Sequence, residues 1–287
     1  MSGVRGRIAR RLPARRRLAI AGGAVVLLLA LVVAGGAAYF AAGQGPNADA
    51  VAAVEADPNV TVERTALGTA VRDGPVTGST VGLVYYPGAR VAHESYVPTA
   101  ADVVAASDRV ALVVVAEMPL NLAVIAPDRA DRVRERYPEV DVWAVGGHSL
   151  GGAMACRHAA ENAAAYDALV LHAAYCDRDV SDSGLDVLSV LGAADGVIDA
   201  ERERASRSNL PPDARVVVLD GVNHAGFGAY GRQRGDDPAS LSPDASREAV
   251  GNATGTWLDE RVGANRSPRR AVAPRSPRSP LPGERVF

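Results

Sequence analysis

The sequence predicts an α/β fold, a mainly parallel sheet with helices on both faces and no large cap domain. Three observations predict it. Short apolar runs alternate with helix-patterned segments between residues 60 and 262, and that alternation builds parallel sheets covered on both sides. A glycine-flanked pentapeptide, Gly147-His148-Ser149-Leu150-Gly151, joins one such apolar run directly to a small-residue helix. Only about a dozen residues separate the expected strands at 168–172 and 186–191, too few to hold a large cap domain between them. The stretch 60–262 is an ordinary size for one core.

The elements follow in chain order. Residues 1–17 carry seven arginines and no acid, and a 25-residue run without a charge follows from Leu18 to Ala42. At about 1.5 Å per residue a helix of that length crosses a hydrocarbon core of roughly 30 Å. The positive-inside rule then puts residues 1–17 in the cytoplasm and the rest of the chain outside. A cleaved signal peptide is the alternative, with small residues at Ala37-Ala38 and Ala41-Ala42-Gly43; the run is longer than a usual signal core, which favours a retained anchor. Residues 43–59 read as a linker. Strands are expected near 60–66, 80–86, 110–116, 140–145, 168–172, 186–191 and 215–219, and helices near 95–106, 121–136, 149–164, 199–208 and 242–261. From 263 to 287 the chain is rich in Pro, Arg and Ser, with too little apolar content to fold.

The pentapeptide carries the chemistry. Val140 to Gly146 reads as a buried strand and Gly152 to Glu161 as a helix, so Ser149 sits on a sharp strand-to-helix turn. Such a turn lifts a serine hydroxyl above the sheet as a nucleophile. An unassisted hydroxyl is a poor nucleophile at neutral pH and needs a base. The chain has five histidines. His148 is within the turn and reads as local packing; His158 lies below the site on the following helix. His172 ends an apolar run and reads as a satisfied core histidine, while His93 precedes a helix start, where lining a pocket is the less favoured reading. His224 follows the strand 215–219 and sits in the Gly-rich loop Gly221 to Gly228, from which a ring reaches over a sheet edge to the serine.

The group that orients His224 should lie between the two in the chain. Asp195 falls on the loop beyond the strand 186–191, giving the order Ser149, Asp195, His224. Asp199 competes, but it opens the helix at Ala200, where an N-terminal acid is stabilised without any catalytic role. An oxyanion hole needs two backbone N–H groups. Leu150 supplies one by following the nucleophile. The other comes from Pro87-Gly88-Ala89-Arg90, after the strand 80–86; proline has no N–H, and Ala89 is preferred to Gly88.

Three segments together carry a resemblance: Tyr85 to Val91, Met118 to Ala123, and Gly146 to Ala153. With Asn223 to Gly231, Gln233 and Gly235-Asp236, they resemble the alpha/beta hydrolase superfamily, in the group called alpha/beta hydrolase fold-5. The resemblance spans roughly residues 60 to 262 and implies that fold and a Ser149–Asp195–His224 triad. It implies no substrate. Pro87-Gly88 stands where many relatives carry His-Gly.

Charge narrows the partners. There is no lysine; between residues 44 and 262 the chain has 18 arginines against 32 acids, a net of −14. An acidic surface repels nucleic acid. No Cys/His cluster has metal-ligand spacing, so neither metal nor other cofactor is expected. Cys156 and Cys176 are the only cysteines; two in an exported domain permit one disulfide, but their placement on a helix and beyond a strand top favours buried or unpaired thiols. The expectation is a membrane-anchored serine hydrolase acting outside the cytoplasm on a small-molecule ester or related acyl bond. An acyltransferase and a non-catalytic surface binding protein on the same fold are the alternatives.

Overall fold

A computed structural model describes residues 14–262, with side chains from residue 27 onward. Helix α1 covers Ala14–Ala41 and α2 covers Ala48–Glu55. The alternating unit then begins, with strands β1 (Thr61–Thr65), β2 (Gly68–Arg72) and β3 (Val81–Tyr86), helix α3 (Val97–Ala105), strand β4 (Leu112–Ala116) and helix α4 (Arg129–Arg136). Strand β5 (Val142–His148) leads into α5 (Leu150–Glu161), followed by β6 (Ala168–His172), β7 (Asp186–Gly192), α6 (Ala200–Ser206), β8 (Arg215–Leu219) and α7 (Pro243–Val262).

The eight strands form one sheet in the order β1-β2-β4-β3-β5-β6-β7-β8. From β4 to β8 every neighbour is parallel, and β1 and β2 form an antiparallel edge hairpin. Side chains alternate across the strands, so two cores form. Leu83, Tyr85, Val113, Val170 and Val190 face α3 and α7, whereas Val84, Tyr86, Val114, Val145 and Leu171 face α4 and α5. At about 25 cal/mol per Å² of apolar surface, these two buried layers are the main stabilising term. No helix or strand occupies residues 173–185, so no cap stands over the sheet there.

Several expectations need correction. Residues 43–59 are not a free linker. Asn47 caps α2 by accepting from the N–H groups of Asp49 and Ala50, and Val51 is buried against the core. Gln44 pairs with the loop after β3: its N–H donates to the Arg90 carbonyl (2.7 Å), and its own carbonyl accepts from Ala92 (2.9 Å). The helix expected at 121–136 starts only at Arg129, because Leu120 and Asn121 have positive φ and Pro127 keeps Ala126 out of the helical region. Cys156 and Cys176 are not free thiols; they form a disulfide between α5 and the β6–β7 connection. The missed strand is β2, reached from β1 by a two-residue turn, Ala66-Leu67, that carries no usual turn residue.

Residues 18–41 of the span expected at 18–42 are helical, as part of α1, but among the described residues no helix is long and apolar enough to cross a membrane. The basic segment to residue 13 and the tail 263–287 lie outside the described residues.

Candidate active site

Parallel strands deliver their carboxyl ends to one edge of the sheet, and the loops there carry the site. Among the described residues, five non-glycines have positive φ: Arg90, Leu120, Asn121, Ser149 and Ala173. All lie just past the carboxyl ends of β3, β4, β5 or β6, and backbone strain of this kind collects at functional sites.

Ser149 has φ 54° and ψ −124°, between β5 and α5. The turn is possible because glycine stands on both sides. A Cβ on Gly147 would lie 2.5 Å from the Tyr86 carbonyl, and one on Gly151 would overlap the Tyr86 and Pro87 carbonyls. The Ser149 N–H donates to the His172 carbonyl at 2.9 Å, pinning the turn to β6. Ser149 and Leu150 are half-buried and Ala89 is exposed, so these groups lie at the surface.

Asp195 and His224 meet each other. His224 Nδ1 is 2.8 Å from Asp195 Oδ2, and both side chains are buried, 2% and 1% exposed. The carboxylate is an acceptor, so Nδ1 carries the proton and Nε2 presents its lone pair. Nε2 is buried and makes no hydrogen bond, so none joins it to Ser149 Oγ. Asp195 Oδ1 also accepts from the N–H groups of Val197 (2.8 Å) and Ile198 (2.9 Å), which orients the carboxylate. Asp199 caps α6 instead, accepting from Glu201 and Arg202.

The other histidines sort themselves by their partners. His172 is buried between Tyr85 Oη, 2.9 Å from Nδ1, and Thr254 Oγ1, 2.9 Å from Nε2. Thr254 gives its own proton to the Val250 carbonyl, so it accepts from His172 Nε2–H. Burial pushes the His172 pKa down to about 3, and the neutral ring is fully satisfied. His158 bonds Tyr166 Oη at 2.9 Å, and His93 bonds Thr69 Oγ1 at 3.2 Å. Neither joins the Ser149 group.

His148 was read from the sequence as simple packing, and the structure gives it more to do. Its ring centroid lies 4.4 Å from that of His224, and its Nδ1 is 2.9 Å from Tyr96 Oη. Tyr96 Oη in turn accepts the Gly88 N–H at 3.1 Å. The Gly88 N–H is thereby committed to Tyr96, and the next residue, Ala89, is exposed. Burial, followed by the nearby rings of His224 and His172, holds the His148 pKa well below its usual value.

Asp236 was also missed as a site residue. It accepts from the N–H groups of His224 (3.1 Å), Ala225 (2.8 Å) and Gly196 (3.2 Å). It thus ties the histidine loop to the loop bearing Asp195. Only the signature Gly235-Asp236 hinted at it. A cavity of about 640 Å³ lies on the far side of that loop, lined by Asn223, Gln233, Asp236 and Arg247 but not by Ser149. Among the described residues, no group of three or more His, Cys, Asp or Glu side chains could hold a metal ion.

Residues 82–248 match the alpha/beta hydrolase family. Among solved structures, carboxyl esterase 2 of the mycorrhizal fungus Tuber melanosporum is similar, with a TM-score of 0.51 and 13% identity. The alignment covers 72% of this chain and 88% of that one. No curated protein matches the sequence.

Proposed function

Starting from a chain that belongs to the alpha/beta hydrolase family, we propose that it is a serine hydrolase of carboxylic esters or related acyl bonds. Ser149 is the nucleophile, His224 the base and Asp195 the residue that orients His224. The observation that carries this reading is the buried His224 ring. Its Nδ1 is held by Asp195 and its Nε2 is unmatched, on the same sheet edge as the strained Ser149.

Ser149 Oγ attacks the carbonyl carbon of the ester while His224 Nε2 takes the hydroxyl proton. The Leu150 and Ala89 N–H groups receive the developing oxyanion. The tetrahedral intermediate collapses, the C–O bond to the leaving alcohol breaks, and His224 returns the proton to that alcohol. Water then attacks the acyl-serine, giving its proton to His224, and the acid departs as Ser149 regains its hydrogen. The substrate is a small-molecule acyl compound, for which the exposed position of Ala89 leaves an open approach.

The same reading places the enzyme outside the cytoplasm on an N-terminal anchor at 18–42. Seven preceding arginines and the uncharged run support it. The Cys156–Cys176 disulfide supports it independently, because such bonds persist in oxidising compartments.

The test is labelling with a fluorophosphonate and turnover of a short p-nitrophenyl ester. The wild-type chain should be labelled at Ser149 and hydrolyse the ester. Ser149→Ala should lose both, with a rate drop of several orders of magnitude. Labelling elsewhere, or unchanged turnover in that variant, would remove the proposal.

A further inference from the structure

We infer that the mouth of the Ser149 site faces the lipid bilayer, and that the substrate is an ester carried by a membrane lipid. This rests on the anchored-hydrolase reading above and adds a surface and a substrate class to it.

The argument begins at the end of α1. Tyr39 and Phe40 sit in its last turn, and two side chains of the catalytic domain hold that turn. The Arg90 guanidinium stacks over the Tyr39 ring at 3.7 Å. It also donates to the Tyr39 carbonyl (3.2 Å) and hydroxyl (2.8 Å). Asn121 Nδ2 donates to the carbonyls of Phe40 (3.4 Å) and Ala41 (3.3 Å), which α1 leaves unpaired. Arg90 directly follows Ala89, the oxyanion donor. The helix end and the oxyanion loop are therefore at one level.

Next to this junction lies the segment 118–127, Met-Pro-Leu-Asn-Leu-Ala-Val-Ile-Ala-Pro, which carries no charge in a domain of net −14. Leu120, Val124 and Ile125 are 38%, 47% and 48% exposed. The same apolar surface continues along α1, where Leu27, Leu28, Leu31, Val32 and Val33 are each about 60–70% exposed. Apolar side chains exposed on this scale mark an interaction surface. Continuity with α1 identifies the occupant. If the uncharged run is in hydrocarbon, Tyr39 and Phe40 stand at the headgroup level where such aromatics collect. The loop 119–125 then dips into that interface, beside the opening to Ser149. A soluble ester has no need of such an approach, and a lipid ester arrives at this level already oriented.

The full chain reconstituted in phosphatidylcholine–phosphatidylglycerol vesicles tests this. Ile125→Trp places a reporter on the exposed loop, since Trp143 and Trp257 are buried. Its fluorescence should be quenched by lipids brominated high on the acyl chain, a readout independent of turnover. Val124→Asp with Ile125→Asp should cut hydrolysis of a diacylglycerol in the vesicles at least tenfold. Turnover of a soluble short p-nitrophenyl ester should stay within twofold. Equal fluorescence with and without brominated lipid, in protein that floats with the vesicles, overturns the inference; crosslinked dimers in that case assign the face to a second copy. Protein that does not float overturns the anchor and the inference together. Quenching without turnover of either ester upholds the bilayer contact and defeats the hydrolase reading and the substrate class.

Discussion

The Asp236 carboxylate holds the backbone of His224, accepting its N–H at 3.1 Å and that of Ala225 at 2.8 Å. A third N–H, from Gly196, reaches the same side chain at 3.2 Å. The two loops that supply Asp195 and His224 are thus fixed to each other by one acceptor-only group. Asp236→Asn should be far from conservative. One oxygen becomes an NH2 facing a backbone N–H, an unmade hydrogen bond worth about 1–3 kcal/mol. We expect a lower kcat for ester turnover with KM nearly unchanged, and slower fluorophosphonate labelling at Ser149. Equal kcat in the variant would show that the loops hold their places without it.

Tyr96 connects the oxyanion loop to the turn before the nucleophile. Its hydroxyl accepts from Gly88 N–H and meets His148 Nδ1. Tyr96→Phe keeps the ring and strands both groups inside the protein. The expected cost is about 1–3 kcal/mol of stability by urea denaturation, with a fall in kcat because Ala89 is the next residue. A Gly88→Ala change should be worse, since the new Cβ would sit 2.9 Å from both His148 Nδ1 and Tyr96 Oη.

The disulfide closes a loop with a sequence separation of 20, from the nucleophile helix to the β6–β7 connection. Loops of that size gain roughly 3 kcal/mol from the crosslink in the chain-entropy account. The paired substitution Cys156→Ala with Cys176→Ala should lower Tm by several degrees. Treatment of the unsubstituted protein with reductant should reproduce that shift and leave the substituted protein unmoved. A matching Tm for the two proteins would mean that the bond adds no stability.

How much of this could be read from residues alone depended on whether the signal was local. Ser149 announced itself because strand, glycine turn and helix are contiguous in the chain, and Asp199 was set aside on a capping rule that α6 obeys. His172 read as a core residue and is one, with both nitrogens matched. The unseen parts depend on distant residues. Cys156 pairs with Cys176 only because α5 packs beside the end of β6, and the sequence order shows no such adjacency. The Gly88–Tyr96–His148 chain spans three elements, and α2 was hidden in a stretch whose position suggested a linker. In the segment 118–127 the hydrophobic pattern suggested an early helix, but Pro127 and the positive-φ pair Leu120-Asn121 override it.

Stability should fall on acidification, and the sign follows from which groups hold protons in the folded chain. Burial lowers His172 from 6.5 to about 3 and places His148 well below its ordinary value. Between about pH 6.5 and 3 the unfolded chain binds protons at these rings that the folded chain refuses. Stability is therefore full above 6.5 and is lost as pH falls, by up to about 1.4 kcal/mol per pH unit for each ring. Asp102 works the other way. Burial raises it from 3.8 to about 6, against the pull of Arg247. Its ionisation costs stability above pH 6, and that cost is relieved as pH falls towards 3.8. The two rings outnumber it, so the midpoint of urea denaturation should drop between pH 7 and pH 5. Asp102→Asn should raise stability at pH 7 and make the acid loss steeper, because a compensating group is gone. An unchanged slope in that variant would show that Asp102 ionises alike in the folded and unfolded chains.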